Sequence, residues 1–341
     1  MQSEVFDSFD DRELVSQLLS EAKDDVSRVA EEAHPAERAI ALHQARQGVN
    51  ENSMEDRKLR ILEADACSEA ALVAETAHEK LQWVARGLKE LDFQHEHFYC
   101  RDSNQCNVAS TLWLTASEAF LQKSDRAPHF HYSIIHTEYP GLYDNTFYAA
   151  ESLRIAALCT KHSNCLGAEE MAVADYEEAI RLMRNINTTR FSVKNQGQLQ
   201  DEILSTTISA YRTEVSFEDQ IALRKRIVAE AMTAATIYAQ DPTDTYCTIQ
   251  RAIRLEDAGY YSSTMMETRD RLIEAIHLVE GVWESDPERC LNVNEFYRPE
   301  YGFYARPFSL ENTLLGRLRA KLKAAEQELV NEKASIWSWF T

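Results

Sequence analysis

Glycine and proline are both scarce in this chain, nine and seven among 341 residues. Sandwiches and barrels of short strands draw on these two residues for their many tight turns, so the shortage argues against an all-β fold. No apolar run approaches the roughly 20 residues that a membrane-spanning helix requires. The N-terminus, Met1-Gln2-Ser3-Glu4, lacks the cationic stretch and apolar core of a secretion signal. No phosphate loop, dinucleotide fingerprint, nucleophile elbow or kinase signature occurs. A nucleotide-dependent enzyme is thereby disfavoured, no cofactor is implied, and a non-catalytic role is the expectation.

Positive charge is also short. Lys and Arg number 36 against 56 Asp and Glu, a net charge of −20. Such a field repels phosphate backbones and anionic lipid, which argues against direct nucleic-acid or membrane binding. It favours a protein partner, a basic one above all, or a role as an acidic inhibitor that imitates nucleic acid in a basic groove. Seven cysteines, an odd number, with no secretion signal, point to reduced thiols and a cytoplasmic protein.

What is present is helical period. Val73, Ala77, Leu81, Val84, Leu88 and Leu91 follow one another at steps of three and four. Leu223, Ile227, Ala231, Ala235 and Tyr238 form a second stripe, and Leu272, Ile276, Val279 and Trp283 a third. Leu315, Leu318, Leu322, Ala325 and Leu329 form a fourth. One helix face cannot bury itself, so each stripe requires a partner helix. Pro242 and Pro287 each close an apolar helix, and Asn195-Gln-Gly197 reads as a loop. The expected fold is all-α, built of stacked antiparallel helix hairpins.

Short internal matches fit such an array. Gly259-Tyr-Tyr261 returns as Gly302-Phe-Tyr304, and Cys100-x5-Cys106 as Cys159-x5-Cys165. The stretch Gly167-x4-Ala172-x3-Tyr176-x2-Ala179 resembles the second helix of a tetratricopeptide repeat. Arg254-Leu-Glu-Asp-Ala-Gly259-Tyr-Tyr261 resembles the end of that family's first helix and its turn. The first-helix Trp, Leu and Gly positions are not met in order. The resemblance implies a right-handed solenoid whose concave face binds peptides or protein partners. The expected organisation is a helical block over residues 1–127, an aromatic- and histidine-rich connection over 128–140, and a tetratricopeptide-like block over 141–341.

Several clusters could carry chemistry. His95-x-His97-x2-Cys100-x5-Cys106 gathers four zinc-type ligands within twelve residues, and Cys159-x2-His162-x2-Cys165 gathers three more. Glu31–His34 and Glu75–His78 have the Glu-x2-His spacing of helical di-iron sites, although Pro35 pushes His34 toward extended angles. A metal-binding helical protein, with zinc or di-iron, is therefore one alternative. The most distinctive segment is Phe296–Phe308, where aromatics and arginines interleave around two prolines and a glycine. Tyrosine and arginine combine contact area with directed polar groups, as in protein recognition hot spots. Tyr297, Arg298, Tyr301, Tyr304 and Arg306 are the expected partner-binding residues of an adaptor or scaffold.

Overall fold

The computed structural model describes residues 34–51, 53–91, 103–122, 145–163, 165–285 and 314–338, with side chains through residue 331. These residues form eleven helices and no strand. The chain divides into two compact units, Met1–Phe93 and Gln94–Thr341.

The first unit holds α1 (Pro35–Arg46), α2 (Met54–Val73) and α3 (Ala77–Glu90), each packed on the next. Pro35 occupies the first turn of α1, where its missing N–H costs nothing, and His34 before it is extended at φ −54° and ψ 137°. The apolar stripe that starts at Val73 is broken. Ala74 turns extended, and Thr76 with Glu79 forms a capping box that starts a new helix. Leu81, Val84, Leu88 and Leu91 are buried as the period requires, while Val73 ends α2 exposed.

The second unit holds α4 (Ser103–Gln122), α5 (Asn145–Lys161), α6 (Ala168–Arg184), α7 (Val193–Thr213) and α8 (Phe217–Tyr238), then α9 (Thr245–Tyr260), α10 (Met265–Ser285) and α11 (Leu314–Ser338). Each packs chiefly on its neighbour in sequence. α4, which the sequence places in the first block, belongs here: it packs on α5 and shares a buried 2.6 Å hydrogen bond between Ser110 and Thr160. α5, α7 and α9 begin at residues 145, 193 and 245, in steps of 48 and 52.

Its cores overlap along the chain. Ala157, Ala172, Tyr176, Ala210 and Leu223 draw one cluster from α5, α6, α7 and α8. Leu204, Ile227, Ala231, Ala258 and Tyr261 carry the next from α7 through α9. A third runs through α8, α9, α10 and α11. The stripe Leu223, Ile227, Ala231, Ala235 and Tyr238 is buried at every position. Gly167, at φ +75°, adopts the left-handed geometry that glycine favours, and Ala172, Tyr176 and Ala179 behind it all face the core.

Residues 195–197 correct the expected loop. They lie in the first turns of α7, because Ser192 caps the helix by accepting from the Asn195 N–H. Gly197 is there for proximity, since its backbone lies against the ring of Tyr238.

Candidate functional site

Tyr297, Arg298, Tyr301, Tyr304 and Arg306 lie outside the described residues, as do His95, His97, Cys100 and Glu31. Cys106 is fully buried on α4 and is disulfide-bonded, which departs from seven reduced thiols. The other metal candidates can be placed. Cys159 faces the core and Cys165 is exposed, and with His162 they do not converge to ligand distance. Burial pushes the Cys159 thiol well above its ordinary range, so it is not a thiolate at neutral pH. His34 and Glu75 line one cleft of about 610 Å³ with Ala70, Gln82, Trp83 and Arg86, but no three ligand atoms gather there.

Two groups among the described residues do bring three possible ligand residues together. His43, Glu63 and Glu90 meet inside the first unit. Arg46 reaches into that space, bonding Glu63 at 3.2 Å and Glu90, with Asp56 at 3.7 Å. Arg86 donates to Glu63 at 3.0 Å and Arg60 to Asp56 at 3.0 Å, while the Arg86 guanidinium stacks 5.5 Å from the Trp83 ring. Three buried carboxylates therefore face three guanidiniums, and the charges balance without an ion. The second group, Asp241, Asp244 and Cys247, sits at the start of α9. Asp244 is the helix cap, accepting from the Tyr246 and Cys247 N–H groups, and burial beside Asp244 and Asp241 pushes the Cys247 thiol up to about 11.

The arrangement most specific to the second unit is a polar seam across α5, α7 and α9. Glu151 holds Arg154 on α5, with Arg154 Nη2 donating to Glu151 at 2.8 Å. Burial and the nearby Glu151 charge push Glu202 on α7 above the usual carboxylate range. Asp201 beside it lies 2.8 Å from Arg254 on α9 and accepts from Tyr238 at 2.7 Å. Burial pushes the Asp201 carboxyl up to about 6, with Arg254 and the Tyr238 bond opposing. Arg254 continues to Asp257 at 2.7 Å. Beyond it Glu256 pairs with Arg317 and Lys321 of α11, at 2.6 and 2.7 Å. Burial alone would raise the Glu256 pKa, but these two cations hold it below the ordinary value.

The other helices repeat the device. Arg226 on α8 binds Glu177 on α6 at 2.6 Å, and Arg184 on α6 binds Glu230 on α8. Ion pairs thus join helices two apart in sequence, α7 to α9, α9 to α11 and α6 to α8. Sequence reasoning missed this seam. The available signal was Asp201 and Glu202 beside Leu199 and Ile203, charges at positions where an amphipathic helix turns inward. No protein-family model, curated protein or solved structure matches this chain.

Proposed function

We propose that this chain is a non-catalytic adaptor or scaffold whose second unit is a tetratricopeptide-like solenoid of helix hairpins that binds another protein. The observation that carries the reading is the ion pairing between helices two apart. In a two-layer array, alternate helices lie side by side, and Asp201–Arg254, Glu256–Arg317 and Glu177–Arg226 are the bridges such layers call for. The hairpin step of 48 to 52 residues is longer than a tetratricopeptide repeat, so the likeness is one of architecture. Helical arrays offer extended surfaces rather than enclosed reaction chambers. The charge of −20 favours a basic partner.

Tyr297, Arg298, Tyr301, Tyr304 and Arg306 remain the proposed contact residues. The test is purification of the full chain from its native cells at moderate salt, with the mass of the complex measured alongside elemental analysis. A stoichiometric protein partner, weakened by Tyr301→Ala with Arg306→Ala at unchanged helicity and melting, supports the adaptor. A lone chain carrying stoichiometric zinc or iron would overturn it in favour of the metal-binding alternative.

A further inference from the structure

We propose that the edge formed by three hairpin tips of the second unit docks a basic amphipathic segment of another protein. The inference rests on the protein-binding reading and adds a second contact surface, separate from Tyr301 and Arg306, with the chemistry of the segment that it takes.

The tips are the turns from α5 to α6, α7 to α8 and α9 to α10. Contacts place them in a row. Lys161 Nζ at the end of α5 donates to the carbonyl of Arg212 at the end of α7, at 3.4 Å. The Tyr211 ring meets the Tyr261 ring edge-on, with centroids 5.7 Å apart. Arg224, in the second turn of α8, donates to the carbonyls of Tyr261 and Ser262 at 2.9 and 2.8 Å.

Each tip exposes large apolar side chains. The first carries Leu166 and Met171, the second Val215, Phe217 and Ile221, the third Tyr260 and Met266. Leu166 is fully exposed and Phe217 is 75% exposed, far beyond the glancing exposure of a core residue at a rim. Elsewhere among the described residues of this unit, only Leu121 and Val330 are large, apolar and exposed. The connections at the other hairpin ends, 185–192 and 239–244, expose none, and Ile186 there is buried. Single exposed apolar residues are ordinary on a protein surface; their concentration along one edge marks an interaction site.

The helix-opening turns beside the apolar groups are acidic, while the cations of this edge are Lys161 and Arg224, which donate to backbone carbonyls, Arg212, and Lys321, which lies 5.8 Å from the Tyr260 ring. Glu169 and Glu170 open α6, Glu218 and Asp219 open α8, and Glu267 opens α10, with no Lys or Arg in those first turns. Glu169, Glu170, Glu218 and Asp219 have no ion-pair partner among the described residues. The complement of this edge is an apolar stripe flanked by Lys or Arg. Packed helices lie roughly 10 Å apart, so three tips span about 20 Å, the length of about 14 residues of helix. Leucine and methionine side chains at the tips adapt to such a face, as Met-rich peptide grooves do.

The test uses the full chain and two fluorescent peptides of about 16 residues with the same amphipathic pattern, one of leucine and lysine, the other of leucine and glutamate. Anisotropy should show binding of the lysine peptide alone. Leu166→Ser, Phe217→Ser and Met266→Ser combined should weaken it at least tenfold, with melting and net charge unchanged. Glu218→Lys with Asp219→Lys should weaken it too, while Tyr301→Ala with Arg306→Ala should not. Equal binding by the triple variant overturns the tip assignment and leaves the protein-binding reading standing, because the peptide is then held elsewhere. Absence of lysine-peptide binding also overturns it. So does a dimer that the triple variant loses, or tip-dependent flotation with neutral phosphatidylcholine vesicles, since the edge then serves a second copy or a lipid surface.

Discussion

Gly197 and Tyr238 occupy one shared space. A Cβ on Gly197 would meet three atoms of the Tyr238 ring at 2.9 Å or less. The ring cannot swing aside freely, because it is buried and its hydroxyl donates to Asp201 at 2.7 Å. Gly197→Ala should therefore destabilise the second unit by about 1–3 kcal/mol through overpacking, although alanine is the better helix former by about 1 kcal/mol. Urea unfolding followed by circular dichroism measures it. A stabilised variant would show that α7 and α8 have room to part.

The raised carboxylates give a pH dependence whose sign is fixed. Glu202 faces Glu151 and Arg154 of α5, Asp201 on its own helix and Arg254 of α9. With its folded pKa above the unfolded value, the folded state holds a proton that the unfolded chain has released. Stability from Glu202 and Asp201 is then lost as pH rises from about 4 to 7. Glu178 and Glu256 are shifted downward and act below that window. Glu202→Gln should flatten the decline and leave the variant about 1–3 kcal/mol more stable than wild type at pH 8. Melting curves from pH 5 to 8 decide it; parallel curves for the two proteins would refute the assignment.

Arg46 holds the centre of the first unit. Its removal leaves Asp56, Glu63 and Glu90 without their common cation, and these side chains are at most 8% exposed. Arg46→Ala should cost about 3–5 kcal/mol, a large part of the stability of a small domain. Hydrogen exchange should accelerate in α1, α2 and α3 first. Unchanged exchange there would mean that Arg60 and Arg86 suffice.

The capping box at Thr76 is a smaller, local device. Its hydroxyl accepts from the Glu79 N–H at 3.2 Å, and the Glu79 carboxylate accepts from the Thr76 N–H at 3.3 Å. Thr76→Ala should cost about 0.5–2 kcal/mol, read as a lowered melting temperature, whereas Thr76→Ser should recover most of it.

The helices themselves were plain in the sequence, because burial of Leu223, Ile227, Ala231, Ala235 and Tyr238 depends only on their spacing. Breaks were harder. Nothing in the spacing of Val73 and Ala77 announces the turn between them; the sign was Thr76 three residues before Glu79. Gly197 misled for the opposite reason, its small size answering a tyrosine 41 positions later. The seam was hidden because an Asp or Glu on a helix reads as solvated until a neighbouring helix brings Arg154 or Arg254 beside it. The interacting edge was equally hidden, since Leu166, Phe217 and Met266 lie far apart in sequence and become neighbours only when the hairpins line up.

The overlapping cores of the second unit bear on how the chain is made. From α5 to α10 the connections are short and each helix rests chiefly on the one before it and the one after, so no long loop has to close there before native contacts begin. During synthesis, α7 and α8 can fold against α5 and α6 while later helices are still inside the ribosome. The incomplete surface at the growing end is then always the next helix's landing place, and the period of exposure lasts only as long as it takes to translate one more hairpin.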